Sequence, residues 1–512
     1  MPPADNPRNP RNPRNHPAAA DVPPTEAAAS LAWRDAMFDP EQFRASGQAL
    51  VALLAEQLSH DLAGEGQPLN WQPPQLAEQD WLQPLPEQPE LNADTLVTWL
   101  SQQVIPANLA VHHPHSMGHQ LAPPLPLAAL CDLVASLANQ AMPVYETGPA
   151  ATLIERQVIR WLSGLLGWHS DSGSTGILTS GGAQANLTAL LAARQHCVDV
   201  WRSGVKHAPQ LRILTSSLAH YSISRAAGIM GLGTDAVLAV AVDAQGRMDM
   251  ADLTRLHTSC LQHGEIVMAV VASAGCTATG SIDPLQDIAA FCQAQQLWLH
   301  VDGAHGASAL LSTQHAHKLQ GMALADSVTW DGHKLMYMPA AVSAVLFREA
   351  KHSYLAFAQD ASYLFHGEDA ALDYNTSYRT LECTKRMMGL KLLAAFKLYG
   401  RQGMAQLLDY VFALASSFAD ALAQAPDFEL LMRPQTNIVC FRYRTDAAKS
   451  NRLQSWLRLQ LLQGGDYHLS QVEISGTLWL RCTLMNPYTE LKHLQGLLER
   501  IRTLTRSAED NG

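Results

Sequence analysis

Two short apolar runs of this chain end in residues whose types can do chemistry together. Leu297-Trp-Leu-His-Val-Asp302 ends in a carboxylate and continues Gly-Ala-His305-Gly, while Asp326-Ser-Val-Thr-Trp-Asp-Gly-His333-Lys334 ends in an imidazole beside an amine. A lysine amine can hold an aldehyde as a Schiff base, and a carboxylate can keep a pyridine nitrogen protonated so that the ring accepts electrons. A carboxylate at one strand end and a lysine at the next is what a pyridoxal phosphate site needs. To attack an aldehyde the amine must be partly neutral, a state that desolvation near other cations favours. Asp302 has an alternative role as a plain helix cap, but an ion pair with a buried pyridinium better explains a carboxylate ending so apolar a strand.

Three further segments invite a chemical reading. Thr179-Ser-Gly-Gly-Ala-Gln-Ala-Asn-Leu leaves an apolar run and enters a helix through two glycines. Small residues let backbone N–H groups approach an anion, and the helix N-terminus adds partial positive charge. An ordinary glycine turn reads the same way. His220-Tyr-Ser-Ile-Ser follows another apolar run; its imidazole is suited either to stacking on a planar ring or to capping. His112, His113, His115 and His119 crowd one segment, but they lie among prolines without helical HExxH spacing, and no cysteine or carboxylate is close in sequence. No metal is expected there, and a loop at the mouth of an active site fits better.

The elements that must position these residues are legible as alternation. Strand candidates are Gly176–Thr179, Leu211–Thr215, Val237–Val242, Ile266–Ala272, Leu297–Asp302, Ser327–Trp330 and Ala341–Phe347. Several are apolar nearly throughout, as strands covered on both faces must be. Helical stretches such as Gln184–Val198, Met250–His263 and Pro284–Gln295 lie between them. The succession predicts an α/β fold with a mostly parallel sheet, whose sites gather at the carboxyl ends of strands. Four regions are expected: a disordered tail over 1–24, a helical segment over 25–110, a large cofactor-binding domain over 111–400 and a smaller C-terminal α/β domain over 401–512. The helical segment is too thin to fold alone and is expected to pack on a partner subunit.

Composition excludes other classes. The chain has 512 residues, 47% hydrophobic and 16% charged, and a net charge of −11. Such a chain is globular rather than disordered, and its acidic balance argues against a nucleic-acid partner. No apolar stretch reaches the roughly 18 residues of a membrane helix. Eight scattered cysteines without a CxxC pair suggest reduced thiols and a cytoplasmic location.

Taken in order, the motifs resemble those of the group II pyridoxal-phosphate amino-acid decarboxylases. The similarity runs from about His112 to Pro487. It includes His113-Pro-His-Ser-Met-Gly-His, Thr179-Ser-Gly-Gly-Ala-Gln-Ala-Asn, Ala274-Gly-Cys-Thr-Ala-Thr-Gly, Trp330-Asp-Gly-His-Lys, Arg379-Thr-Leu-Glu-Cys-Thr-Lys-Arg and Leu480-Arg-Cys-Thr-Leu-Met-Asn-Pro. The resemblance implies the aspartate-aminotransferase-like fold called fold type I, pyridoxal 5'-phosphate as cofactor, a homodimer, and decarboxylation of an L-amino acid. It implies that Lys334 binds the aldehyde and Asp302 the pyridine nitrogen. His220 would stack on the ring, with Ala304 on the other side. Gly182, Ala183 and His333 would hold the phosphate, with Thr277 near the ring oxygen. Arg481 would bind the substrate carboxylate, with His115 as a further substrate contact. In the family a tyrosine on a mobile loop, donated across the dimer, reprotonates the α-carbon; Tyr374 is the candidate, with Tyr363 and Tyr378 as rivals. His305, Gly332 and Cys276 depart from the family pattern and put the substrate in doubt more than the cofactor. The pattern ranks diaminobutyrate first, acidic amino acids next and aromatic ones last. Aldehyde synthesis, transamination and a catalytically silent binding protein are the alternatives, the last opposed by retention of Asp302 and Lys334.

Overall fold

The structure is a computed structural model that describes residues 31–169, 174–357 and 373–510. The tail expected over 1–24 and the rival Tyr363 lie outside the described residues. The described residues form two compact units, one comprising 31–57 with 84–105, the other comprising 58–83 and the described residues from 106 onward. In the first, helix Ala93–Trp99 starts at Asn92, whose side chain accepts from the backbone N–H groups of Asp94 and Thr95. That cap satisfies two of the free donors every helix start leaves. The long helix Pro40–Leu62 leaves Phe43, Val51 and Leu54 exposed.

The second unit is built on a seven-stranded sheet with the order β1-β7-β6-β5-β4-β2-β3. Its strands are β1 (Thr175–Thr179), β2 (Leu211–Ser216), β3 (Val237–Val240), β4 (Ile266–Ser273), β5 (Trp298–Asp302), β6 (Ser327–Asp331) and β7 (Ser343–Phe347). All seven coincide with the apolar runs of the sequence. Only β7 runs antiparallel to its neighbours; the others are parallel. The apolar runs are continuous because both faces are covered, and strand periodicity divides them. On β4, Val270 and Ala272 enter one core with Leu285 and Ile288 of helix Leu285–Gln295, while Ala269 and Val271 enter another with Ala185 and Ala189 of helix Gly182–Cys197. Each face therefore needs its own helix, and the crossover connections supply them.

A smaller antiparallel sheet, ordered β10-β11-β9-β8, follows: β8 (Phe428–Leu430), β9 (Ile438–Tyr443), β10 (Ser470–Ile474) and β11 (Thr477–Thr483). It has its own core around Phe418, Phe441 and Leu480. The boundary expected near residue 400 falls inside the helical run Gly389–Gln424, which kinks at Gly400 with φ 65° and ψ 175°. That left-handed backbone is what glycine permits most cheaply.

Candidate active site

Parallel strands align their carboxyl ends, and five of those ends converge on one cavity of about 230 Å³. β1 delivers Gly182 and Ala183, β4 Ser273, β5 Asp302 and Ala304, β6 Asp331 with His333 and Lys334, and the turn after β2 His220. Thr277 and Cys276 line it from the loop after β4. Register explains the convergence: Ser273 lies opposite Asp302, and Asp331 opposite Ser343.

A directed chain of hydrogen bonds fixes the carboxylate. Trp298 Nε1 donates to Ser327 Oγ at 3.0 Å. Because an indole only donates, the Ser327 hydroxyl is free to donate onward to His300 Nδ1, 2.9 Å away. The proton of His300 then sits on Nε2 and goes to Asn186 Oδ1 at 3.0 Å. This orients the Asn186 amide so that its Nδ2 donates to Asp302 Oδ2 and to Ser222 Oγ, each at 2.9 Å. Ser222 Oγ in turn lies 2.8 Å from His220 Nδ1. Burial pushes the pKa of His300 down to about 4 and that of His220 below its ordinary value, so both rings are neutral near neutral pH. Asp302 Oδ1 accepts from the Ala304 N–H at 3.2 Å. One chain thus sets the direction of the Asp302 carboxylate and of the His220 imidazole, both of which line the cavity.

Lys334 has a different surrounding from the one its sequence suggests. Cations were expected around it, but its ion-pair partner is the buried Asp331 carboxylate, 3.2 Å from Nζ. Asp331 also accepts the Ser343 hydroxyl and lies 3.6 Å from His333 Nε2. A cavity already holding Lys334 and two carboxylates accommodates a further cationic centre more readily than a lone lysine site would. Asp331 was quoted in the motif without a role, and only its burial against Lys334 reveals one.

The residues 82–444 match the pyridoxal-dependent decarboxylase conserved domain. The chain belongs to the pyridoxal-dependent decarboxylase family. It is 36% identical over 343 residues to the cysteine sulfinic acid decarboxylase of Mus musculus, covering 66% of this chain and 69% of that one. It is 32% identical over 435 residues to the L-2,4-diaminobutyrate decarboxylase of Rhizobium meliloti, covering 84% and 85%. The solved structure of mouse CSAD superposes with a TM-score of 0.85 at 28% identity, covering 91% of this chain and 99% of that one. The fold is therefore fold type I, and the decarboxylase uses pyridoxal 5'-phosphate.

The cavity fits that cofactor. The helix Gly182–Cys197 starts at its wall, and Gly181 holds φ 136°, a conformation suited to glycine. A Cβ on Gly182 would lie 2.9 Å from Asp331 Oδ1, so only glycine leaves the helix start open. Asp302 keeps acceptor capacity beyond its two protein donors, as a protonated ring nitrogen requires.

Not every candidate residue is brought to the cavity. His115 lines a separate cavity with His113, Tyr467 and Arg500, its Nδ1 2.9 Å from the Asp466 carbonyl and its ring stacked on Tyr467. The histidine-rich segment reaches the cofactor cavity through Gln120 instead. Tyr374 lies outside the cavity of its own chain, its ring beneath Arg156 at 4.3 Å and edge-on to Tyr145. Arg481, on β11 opposite Cys440, is buried, and its Nε has no hydrogen-bond partner among the described residues. Burial lowers its pKa, and Cys276 of the cavity wall is among the groups that act on it electrostatically. Asn186, Ser222, Asp331 and Gln120 were missed; Asn186, Ser222 and Asp331 stand inside the sequence motifs, where their side-chain contacts have no sequence signal.

Proposed function

We propose that this decarboxylase acts on a small L-amino acid with a charged side chain, L-2,4-diaminobutyrate first and an acidic amino acid second. The observation that carries an amino-acid substrate is Arg481, a buried guanidinium whose Nε has no hydrogen-bond partner among the described residues, while the ranking by side chain rests on the relatives. An uncompensated buried cation calls for an anion, and an amino-acid substrate brings a carboxylate. The Rhizobium meliloti relative, which covers 84% of this chain, supports placing diaminobutyrate first.

In this reading Lys334 anchors the aldehyde of the cofactor, and Gly182, Ala183 and His333 hold its phosphate. His220 and Ala304 would flank the ring, and Thr277 would lie near the ring oxygen. When bound, pyridoxal phosphate supplies an electron sink for the pair left behind as CO2 departs. Asp302 holds a proton at the ring nitrogen, and the His300–Asn186 chain keeps the carboxylate aimed. Arg481 orients the substrate carboxylate, and Tyr374 delivers a proton to the α-carbon. Tyr374 does so from the other protomer of a homodimer, in which the helical segment over 25–110 packs on the partner. The exposed Phe43, Val51 and Leu54 support that packing.

The test is a panel of diaminobutyrate, glutamate, aspartate, cysteine sulfinate, tyrosine and tryptophan, assayed for amine, CO2 and aldehyde. The proposal expects amine and CO2 in equal amounts, with the highest kcat/KM on diaminobutyrate. A preference for an aromatic substrate, or aldehyde as the main product, rejects it.

A further inference from the structure

A second cavity, of about 170 Å³, opens beside the helix Pro149–Leu165 and shares no lining residue with the first. Three guanidinium groups line it, those of Arg156, Arg160 and Arg379. Two carboxylates also face it, and both are committed. Glu155 is bonded through both oxygens to the buried Lys385 ammonium. Asp373 is held by Arg156 at 2.7 Å and by the Tyr354 hydroxyl at 2.5 Å. Among the described residues the cavity therefore carries surplus positive charge.

Its wall also holds unsatisfied donors. The hydroxyls of Ser163 and Ser174 and the Nε of Arg379 are buried without a hydrogen-bond partner among the described residues; Thr152 is a further orphan, but it lies about three helical turns from Ser163. Thr152, Ser163 and Arg379 are 1%, 2% and 4% exposed. Buried polar atoms almost always find partners, so the three orphans Ser163, Ser174 and Arg379 signal a missing ligand. All three can donate, and donors beside surplus positive charge match an anion. The volume lies below the ~300 Å³ at which pockets for organic ligands begin.

We propose that this cavity is a binding site for a small tetrahedral oxyanion of the phosphate class. The Ser163 and Ser174 hydroxyls and Arg379 Nε donate to its oxygens, and Arg160 supplies the charge that no carboxylate among the described residues takes up.

The experiment is calorimetric titration of the holoenzyme, its cofactor site filled, with inorganic phosphate at ionic strength held constant with potassium chloride. Saturable binding at one site per chain is expected, weakened about tenfold in Arg160→Gln and in Ser163→Ala. Both variants should keep the absorbance of the bound cofactor, which shows that they fold. A flat titration, equal affinity in both variants and the parent, or equally tight binding of glycerol phosphate overturns the proposal.

Discussion

At the scale of single residues, the site rests on side chains that the chemistry uses and on others that only aim them. Lys334 is of the first kind: Lys334→Ala should abolish turnover and remove the near-visible absorbance of the bound cofactor. An unchanged spectrum with normal activity would show that another group holds the aldehyde. Asn186 is of the second kind, because its amide joins His300 to both Asp302 and Ser222. Asn186→Leu leaves Asp302 with the Ala304 N–H alone and His300 Nε2 without its acceptor. Outer-sphere partners of this sort typically matter by about 10- to 100-fold in activity or affinity. We expect kcat to fall in that range while Asn186→Asp, which keeps the His300 acceptor but places a second carboxylate beside Asp302, weakens cofactor binding instead. Parent-like kcat and cofactor affinity in both variants would mean the chain aims nothing. Tyr374→Phe should slow amine formation and let carbonyl by-products appear, and a full-rate variant would assign the proton to another group.

At the scale of elements, the helix Pro149–Leu165, strand β1 and the segment before Gly389 are tied by one buried ion pair. Glu155 Oε1 accepts the Leu178 N–H at 3.1 Å within β1 and pairs with Lys385, which is wholly buried. Burial lowers the lysine pKa and the Glu155 carboxylate opposes that shift. Removing one member leaves an uncompensated charge, which typically destabilises by about 3–5 kcal/mol, whereas replacing both by apolar groups can be neutral. Lys385→Met should therefore lower the denaturation midpoint sharply, and adding Glu155→Leu should recover much of the loss. A double variant as unstable as the single one would contradict this account. The strands themselves were legible because doubly covered strands must be apolar throughout, as in Ile266–Ser273. The pairing of Glu155 with Lys385 was not, because 230 residues separate the partners and no local pattern marks them.

At the scale of the whole molecule, burial holds many histidines neutral. His300, His113 and His468 are pushed down to about 4 and His305 to about 3, with burial the largest cause in each. A histidine whose folded pKa lies below the unfolded 6.5 binds fewer protons when folded. Its folded state is then fully favoured above that value and loses stability as pH falls from 6.5 toward about 4. Asp283, raised by burial to about 6, acts in the opposite sense between about 6 and 3.8, but as one group against four. Urea midpoints should therefore drop steadily from about pH 7 to about pH 5. A midpoint that rises over that interval would show the histidines to be charged in the folded protein.

The sequence by itself determined the succession of strands and helices, the lysine and the carboxylate at neighbouring strand ends, and the family. Periodicity and strand-end position are local properties, so a linear reading recovers them. Only the tertiary structure decided that Asp331 is the partner of Lys334, that Asn186 aims Asp302, and that His115 lies in another cavity. Those assignments depend on which side chains meet after the chain crosses over between strands, and hydrogen-bond direction through Trp298, Ser327 and His300 exists only once the sheet has set their register.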